Sequence, residues 1–251
     1  MHSSLEDALF DDKVLAIQTT SCSPLKTSLE NSNPSSIYKN FNLGLHVGDC
    51  PKQVENNRAC LQSLLPSHTS IQWLEQVHGN VVVEISKVTK QAPIADAMIT
   101  RERNTALAIM TADCLPILLV SRQGDVIAAI HGGWRPLAAN IIAKTIAKMG
   151  VEVGEIYAWL GPCIGKEAFE VGAEVKGVFV EQETMLSSAF HKQENGRSLA
   201  DLHQIAKVQL NHLGVTKINM LSECTFFESK KYYSYRRNSI TGRMASVITL
   251  L

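Results

Sequence analysis

Between residues 71 and 131 the chain is a succession of short apolar and β-branched runs: IQWLEQV (71–77), VVVEIS (81–86), DAMIT (96–100), ALAIMT (106–111), PILLVS (116–121) and VIAAIH (126–131). Turn formers separate them, among them Gly79-Asn80, Arg103-Asn104 and Gln123-Gly124-Asp125. Most of these runs lack a polar alternation, which predicts strands covered on both faces. Such strands need further layers, and the flanking segments offer helices. PKQVENNRACLQSLL (51–65) opens with a proline suited to a first turn. PLAANIIAKTIAKMG (136–150) carries Ile141, Ile142, Thr145, Ile146 and Met149 as one stripe and ends at Gly150. VGAEVKGVFVEQ (171–182) and SLADLHQIAKVQLNHLG (198–214) read as two more helices. VLAIQT (14–19), IYAWLG (156–161), KINML (217–221) and ASVITL (245–250) read as strands. The expected architecture is α/β: one domain over 1–251, with a mixed β-sheet flanked by helices. Residues 1–13 are polar and expected to be ragged, and 20–40, rich in Ser, Asn, Pro and Thr, to form a long surface loop.

Charge narrows the function classes. Lys plus Arg number 24, and so do Asp plus Glu, which argues against a general nucleic-acid binder or a polybasic membrane binder. No apolar run reaches the roughly 20 residues of a membrane span. The opening MHSSLEDALFDDK places acids where a secretory signal needs positive charge and an apolar stretch. The six cysteines are scattered with no CxxC pair. Together these features read as a cytoplasmic protein with reduced thiols.

Three residues stand at or just beyond the ends of apolar runs: His78 in QVHGN, Cys114 in MTADCLP and His131 in AAIHGGW. Strand ends are where α/β proteins assemble sites from distant segments. Two imidazoles and a thiolate are a common zinc ligand set, and three protein ligands leave a position for substrate or water. Glycines follow both histidines and permit close approach. Asp113, next to Cys114, could accept a hydrogen bond from an imidazole. The same residues also allow a metal-free reading, with Cys114 as nucleophile, His131 or His78 as base and Asp113 as orienter. Of the other histidines, His46 in GLHVGD is a candidate for a site edge. His2, His68, His191 and His212 sit in polar or helical-surface settings, and His203 lies on a helix.

Several longer motifs carry a resemblance. NLGLHVGD (42–49) with ENNR (55–58), QVHGNVV (76–82), ADAMIT (95–100), TADCLPILL (111–119), HGGWRPLA (131–138), GPCIG (161–165) with FEVG (169–172), and YSYRRNSITGR (233–243) occur in one order. In that order the chain resembles the YfiH/laccase-domain family from about Asn42 onward. Members have been labelled multicopper polyphenol oxidases and purine nucleoside phosphorylases. Two departures stand out. Gly132 and Pro136 replace the more usual Ala and Gly of HAGWRG, and residues 21–36 lack a Gly-rich pattern.

The resemblance implies the family's α/β fold and a zinc site made by His78, Cys114 and His131. It implies phosphorolysis of adenosine, inosine, guanosine and methylthioadenosine, with adenosine deamination as a second activity. Copper is the other metal attached to family members, but eight histidines poorly furnish several copper centres. The partners expected are therefore a nucleoside and phosphate. Arg58 and one of Arg236 and Arg237 are the expected phosphate contacts, because a guanidinium offers a planar donor fork. Asn42, His46 and Gln76 are candidate contacts to base or ribose. Trp134 and Tyr235 either stack on a purine or pack, and Cys163 reads as structural. The competing classes are a metal-free Cys/His hydrolase of amide or ester bonds, a non-catalytic metal binder and a copper-dependent polyphenol oxidase.

Overall fold

A computed structural model of the chain describes residues 13–24 and 37–251. The expectation for residues 1–13 lies almost wholly outside this range, as does the middle of the 20–40 loop. In chain order the elements are β1 (Val14–Gln18), α1 (Pro51–Gln62), β2 (Ser70–Gln72), β3 (Val82–Glu84), β4 (Ala97–Thr100), β5 (Thr105–Thr111), β6 (Leu115–Ser121) and β7 (Ile127–Gly132). There follow α2 (Trp134–Ala138), α3 (Ile141–Met149), β8 (Ile156–Leu160), β9 (Glu170–Val171), α4 (Ala173–Gln182), β10 (Phe190–Lys192), β11 (Ser198–Ala200), α5 (Leu202–Leu213), β12 (Lys217–Met220) and β13 (Met244–Leu250).

The α/β architecture is as expected, but the described strands form three sheets where a single mixed sheet was expected. Four run in the order β1-β13-β5-β2, six in the order β12-β8-β6-β7-β4-β3, and three in the order β10-β11-β9. The two larger sheets are mixed, with β2–β5, β3–β4 and β12–β8 parallel and their other pairs antiparallel.

Period-two side chains explain how the apolar runs are used. In β5, Leu107 and Ile109 face Leu118, Val120, Ile127 and Ala129 of the six-stranded sheet. Ala106 and Ala108 of the same strand face the other way, toward Leu61 of α1 and toward Phe41 and Leu43. On the far side of the six-stranded sheet, Leu115, Ile117, Leu119, Ala128 and Ile130 pack with residues of α2 to α5. The layers are therefore helix, sheet, sheet, helices, and β4, β5, β6, β7 and β13 are buried along their whole lengths.

Two expected helices begin or break elsewhere. The 136–150 segment is α2 and α3, interrupted at Asn140, whose φ of 60° is left-handed. A left-handed residue costs on the order of 1 kcal/mol, least for Asn. Burying Ile141, Ile142 and Ile146 stabilises by roughly 1.5–3 kcal/mol each and outweighs it. In the 198–214 segment, Ser198–Ala200 is strand β11, and Asp201 caps α5 by accepting the Gln204 N–H at 3.0 Å. Gly150 and Gly214 end α3 and α5 at positive φ, as expected.

Candidate metal centre

The chain crosses from the four-stranded sheet to the six-stranded one at Ala112-Asp113-Cys114, between β5 and β6. Asp113 takes a φ of 103° there. The antiparallel register Leu115↔Gly132 and Pro116↔His131 brings Cys114 opposite the HGG segment. A Cβ on Gly133 would stand 3.2 Å from both Cys114 Sγ and His78 Cδ2, so the missing side chain leaves the room in which these residues meet. The register Ala97↔Ile130 between β4 and β7 likewise places Asp96 beside His131.

Asp96 is fully buried and organises both histidines. Its Oδ1 accepts the His131 Nδ1–H at 2.8 Å and the His78 backbone N–H at 2.9 Å. Its Oδ2 accepts the backbone N–H groups of Gly79 at 2.6 Å and Val77 at 3.2 Å. Three successive N–H groups converging on one carboxylate hold His78 in its left-handed conformation, φ 57°. With Nδ1 bound to Asp96, His131 turns its other nitrogen to the cluster.

His78, Cys114 and His131 each present one ligand atom, and these atoms lie within 4.8 Å of one another. Cys114 Sγ is 3.8 Å from His78 Nε2, and the two imidazoles meet edge-on with centroids 4.7 Å apart. A tetrahedral zinc ion with bonds of about 2.0–2.3 Å holds its donors roughly 3.3–3.6 Å apart, so a small closing movement completes the site. The electrostatics suit a cation. Burial alone would push the Cys114 thiol up, but the neighbouring His131 and then His78 outweigh it and bring it down to about 6. Burial would lower His131, but the Cys114 sulfur and the Asp96 carboxylate outweigh it and raise the imidazole to about 9. The donor set and its spacing fit a divalent ion held by two nitrogens and a thiolate.

The trio lies in a cleft of about 750 Å³, a size that accommodates a small-molecule ligand. Of the other expected site residues, His46, Gln76 and Arg236 line this cleft, as does Asp113. Asp113 does not orient an imidazole. Its carboxylate accepts the hydroxyls of Thr225 at 2.7 Å and Ser234 at 3.0 Å and the Arg236 N–H at 2.7 Å, tying the 225–236 segment to the sheet crossing. The orienting carboxylate is Asp96, just before β4, whose pairing with His131 no motif announces.

Gln76 uses both ends of its amide on the Met110 backbone, at 2.8 Å each. Asn42, Arg58 and Arg237 are absent from the cleft lining. Asn42 is buried and holds Gly44, Asp49 and the Arg243 N–H. Arg58 donates to the Leu43 carbonyl and lies over the Trp73 ring. Arg237 donates to the carbonyls of Thr225, Phe226 and Tyr232. Both arginines fasten loops, and Arg58 also meets the cleft wall, with Nη2 3.6 Å from Met110 Sδ and its charge acting on His46. Trp134, Tyr235 and Arg135 line the cleft, together with Phe169 and Arg243, which the motif reading passed over. Cys163 is fully buried beside His203, and none of the six cysteines is in a disulfide. No helix among the described residues is long and apolar enough to cross a membrane.

The chain is similar to known proteins along most of its length. The sequence model of a family described as multi-copper polyphenol oxidoreductase laccase matches residues 27–251. Purine nucleoside phosphorylase YfiH of Escherichia coli is 43% identical over 216 residues, covering 85% of this chain and 88% of that protein. Purine nucleoside phosphorylase PA4543 of Pseudomonas aeruginosa is 44% identical over 216 residues, covering 85% and 87%. The crystal structure of Neisseria meningitidis protein NMB0706 superposes with a TM-score of 0.90 at 37% identity, covering 97% of both chains. A continuous match over most of the chain, and a fold shared along nearly its whole length, establish that this chain belongs to the YfiH/laccase-domain family.

Proposed function

We propose that the chain is a zinc-dependent purine nucleoside phosphorylase. It would convert adenosine, inosine, guanosine or methylthioadenosine, with phosphate, to free base and pentose 1-phosphate. Adenosine deamination, in which water adds at C6 and ammonia leaves, would be a second activity. The observation that carries the reading is the three-donor cluster opening into a nucleoside-sized cleft, in a chain whose relatives bear the phosphorylase name.

His78, Cys114 and His131 would hold the ion, and zinc there supplies Lewis acidity toward an oxygen ligand. The chain's own residues account for the rest. Asp96 fixes the proton on His131 Nδ1 and so keeps the other nitrogen a donor of electrons. Trp134, Phe169 and Tyr235 give aromatic surface on which a purine can lie. The guanidinium groups of Arg135, Arg236 and Arg243 make the cleft positive where phosphate must enter. In phosphorolysis a phosphate oxygen bonds to ribose C1′ as the C1′–N9 bond breaks. The bonding pair leaves with N9, and the purine takes up a proton.

Metal analysis of the purified protein should find about one zinc per chain, as a three-ligand site predicts. Incubation with adenosine should release adenine and ribose 1-phosphate only when phosphate is present. Metal-loaded protein that releases no base with any of the four nucleosides would sink the reading.

One observation favours a second reading. The Asp96–His131–Cys114 order, with a lowered thiol and a raised imidazole, is the arrangement of a cysteine hydrolase. Iodoacetamide would then abolish activity and chelators would leave it untouched; the zinc reading predicts loss of activity on chelation. The family description keeps copper in view. Copper content and dye oxidation test it, although the described residues gather a single three-donor group.

A further inference from the structure

Among the described residues, the cleft contains a partly buried cation, Arg243, whose hydrogen bonds are not all used. Arg243 follows Gly242 at the start of β13, and its N–H is held by Asn42 Oδ1 at 2.9 Å. Its stem lies against Gly44: a Cβ there would come within 2.9 Å of Arg243 Cγ. Nη1 donates to the Thr241 and Gly242 carbonyls at 3.0 Å each. Nε and Nη2 have no hydrogen-bond partner among the described residues. The guanidinium stands within electrostatic reach of Cys114 and Asp113 and lies 6.0 Å over the Tyr235 ring. No hydrogen bond joins it to Asp113, whose oxygens accept from Thr225, Ser234 and the Arg236 N–H. A partly buried guanidinium edge left without an acceptor is costly, and a planar pair of N–H groups is matched by a tetrahedral oxyanion.

The other cations of the cleft are committed or exposed. Arg236 gives its guanidinium to the Ala168 and Glu170 carbonyls. Arg135 is exposed and stacks on Trp134, 4.4 Å from the ring centroid. His46 lines the same cleft as Arg243, feels its charge, and has no hydrogen bond from its ring among the described residues.

We propose that Arg243 and His46 form the phosphate seat of the cleft, with the free edge of Arg243 gripping two phosphate oxygens and His46 donating to a third. This deepens the phosphorylase reading and rests on it for the identity of the co-substrate. Gly44 has a part in the same device, because its missing side chain lets the Arg243 stem lie where it does.

The test has a binding arm and a kinetic arm. Inorganic phosphate is titrated calorimetrically into metal-loaded wild type, Arg243→Lys, Arg243→Ala and Gly44→Ala, each checked for an unchanged far-UV spectrum. Arg243→Ala should weaken phosphate binding at least about tenfold, as loss of a charge-assisted pair predicts. Arg243→Lys should fall between, because the charge stays and the fork is lost. Gly44→Ala should weaken it too, with the arginine intact. In the kinetic arm the KM for phosphate should rise in the same order while the KM for nucleoside stays within about twofold. Wild-type phosphate affinity in folded Arg243→Ala, or an equal rise in both KM values, overturns the proposal. If wild type binds phosphate through Arg243 yet cleaves no nucleoside, the seat stands and the phosphorylase reading fails.

Discussion

Asp96 shows how much one side chain can decide. Its carboxylate meets four donors, three from the backbone of 77–79 and one from the His131 ring. Burial would raise this acid, but the hydrogen bond from His131 and those from the backbone hold it below the usual carboxylate range. Asp96→Asn keeps the shape, removes the charge and turns an N–H₂ group toward donors. The expected result is destabilisation of roughly 2–4 kcal/mol in urea unfolding, the range for breaking buried charge-assisted bonds. Metal affinity should fall about 10- to 100-fold in competition with a chromophoric chelator, because His78 and His131 lose their common anchor. An Asn variant that binds zinc like wild type would show that the ligands are held by something else. The candidate metal ligands His78, Cys114 and His131 could be picked out in the sequence because each sits beside glycine or at the end of an apolar run. Asp96 could not, since its pairing with His131 exists only once β4 and β7 align. Motif membership also said nothing of direction: Arg58 and Arg237 spend hydrogen bonds on loop carbonyls and are absent from the cleft lining.

At the scale of elements, α5 is docked through His203. The ring donates from Nε2 to the Gly161 carbonyl at the end of β8, at 2.9 Å, and Nδ1 lies 3.5 Å from Cys163 Sγ. Burial lowers this imidazole, against smaller opposing effects of Gly161 and Asp201. The unfolded chain therefore takes up a proton near the ordinary value of about 6.5, where the folded chain does not. The stability from neutral His203 is complete above that pH and is lost as pH falls through it toward the folded value. The loss is at most about 1.4 kcal/mol per pH unit. Urea unfolding at pH 7.5 and 5.5 should show His203→Gln losing less stability over this interval than wild type; equal losses would refute the assignment. The same helix shows what local patterns carry. Its end at Gly214 was legible, because a left-handed glycine closes a helix by itself. Its start was not, because Ser198–Ala200 is drawn into a strand by pairing with β9 and β10, which a helical stripe does not encode. Likewise β5, β6 and β7 were readable as strands, whereas their division between two sheets depends on β13 pairing with β1 and β5 across most of the chain.

The whole molecule is built so that the site is a tenant of the fold and not its foundation. The apolar clusters between and outside the two large sheets run from β1 to β13 with none of the three candidate metal ligands among them. Of the three candidate ligands only His131 is buried, and it is fixed by the β6–β7 ladder and by Asp96. Removal of the ion should therefore leave the layers standing, unlike a zinc finger, in which the metal supplies the folding energy. Linkage sets the size of the change: an ion free at 1,000 times its dissociation constant stabilises by about 4 kcal/mol. For a chain of this length each kcal/mol moves Tm by roughly 2–4 °C. Protein stripped with a chelator should keep its far-UV spectrum, melt on the order of 10 °C lower, and regain the difference on addition of zinc. A stripped protein that is unfolded at room temperature would mean that the trio holds the two sheets together. A Tm indifferent to the metal would mean that the three donors do not share an ion at all.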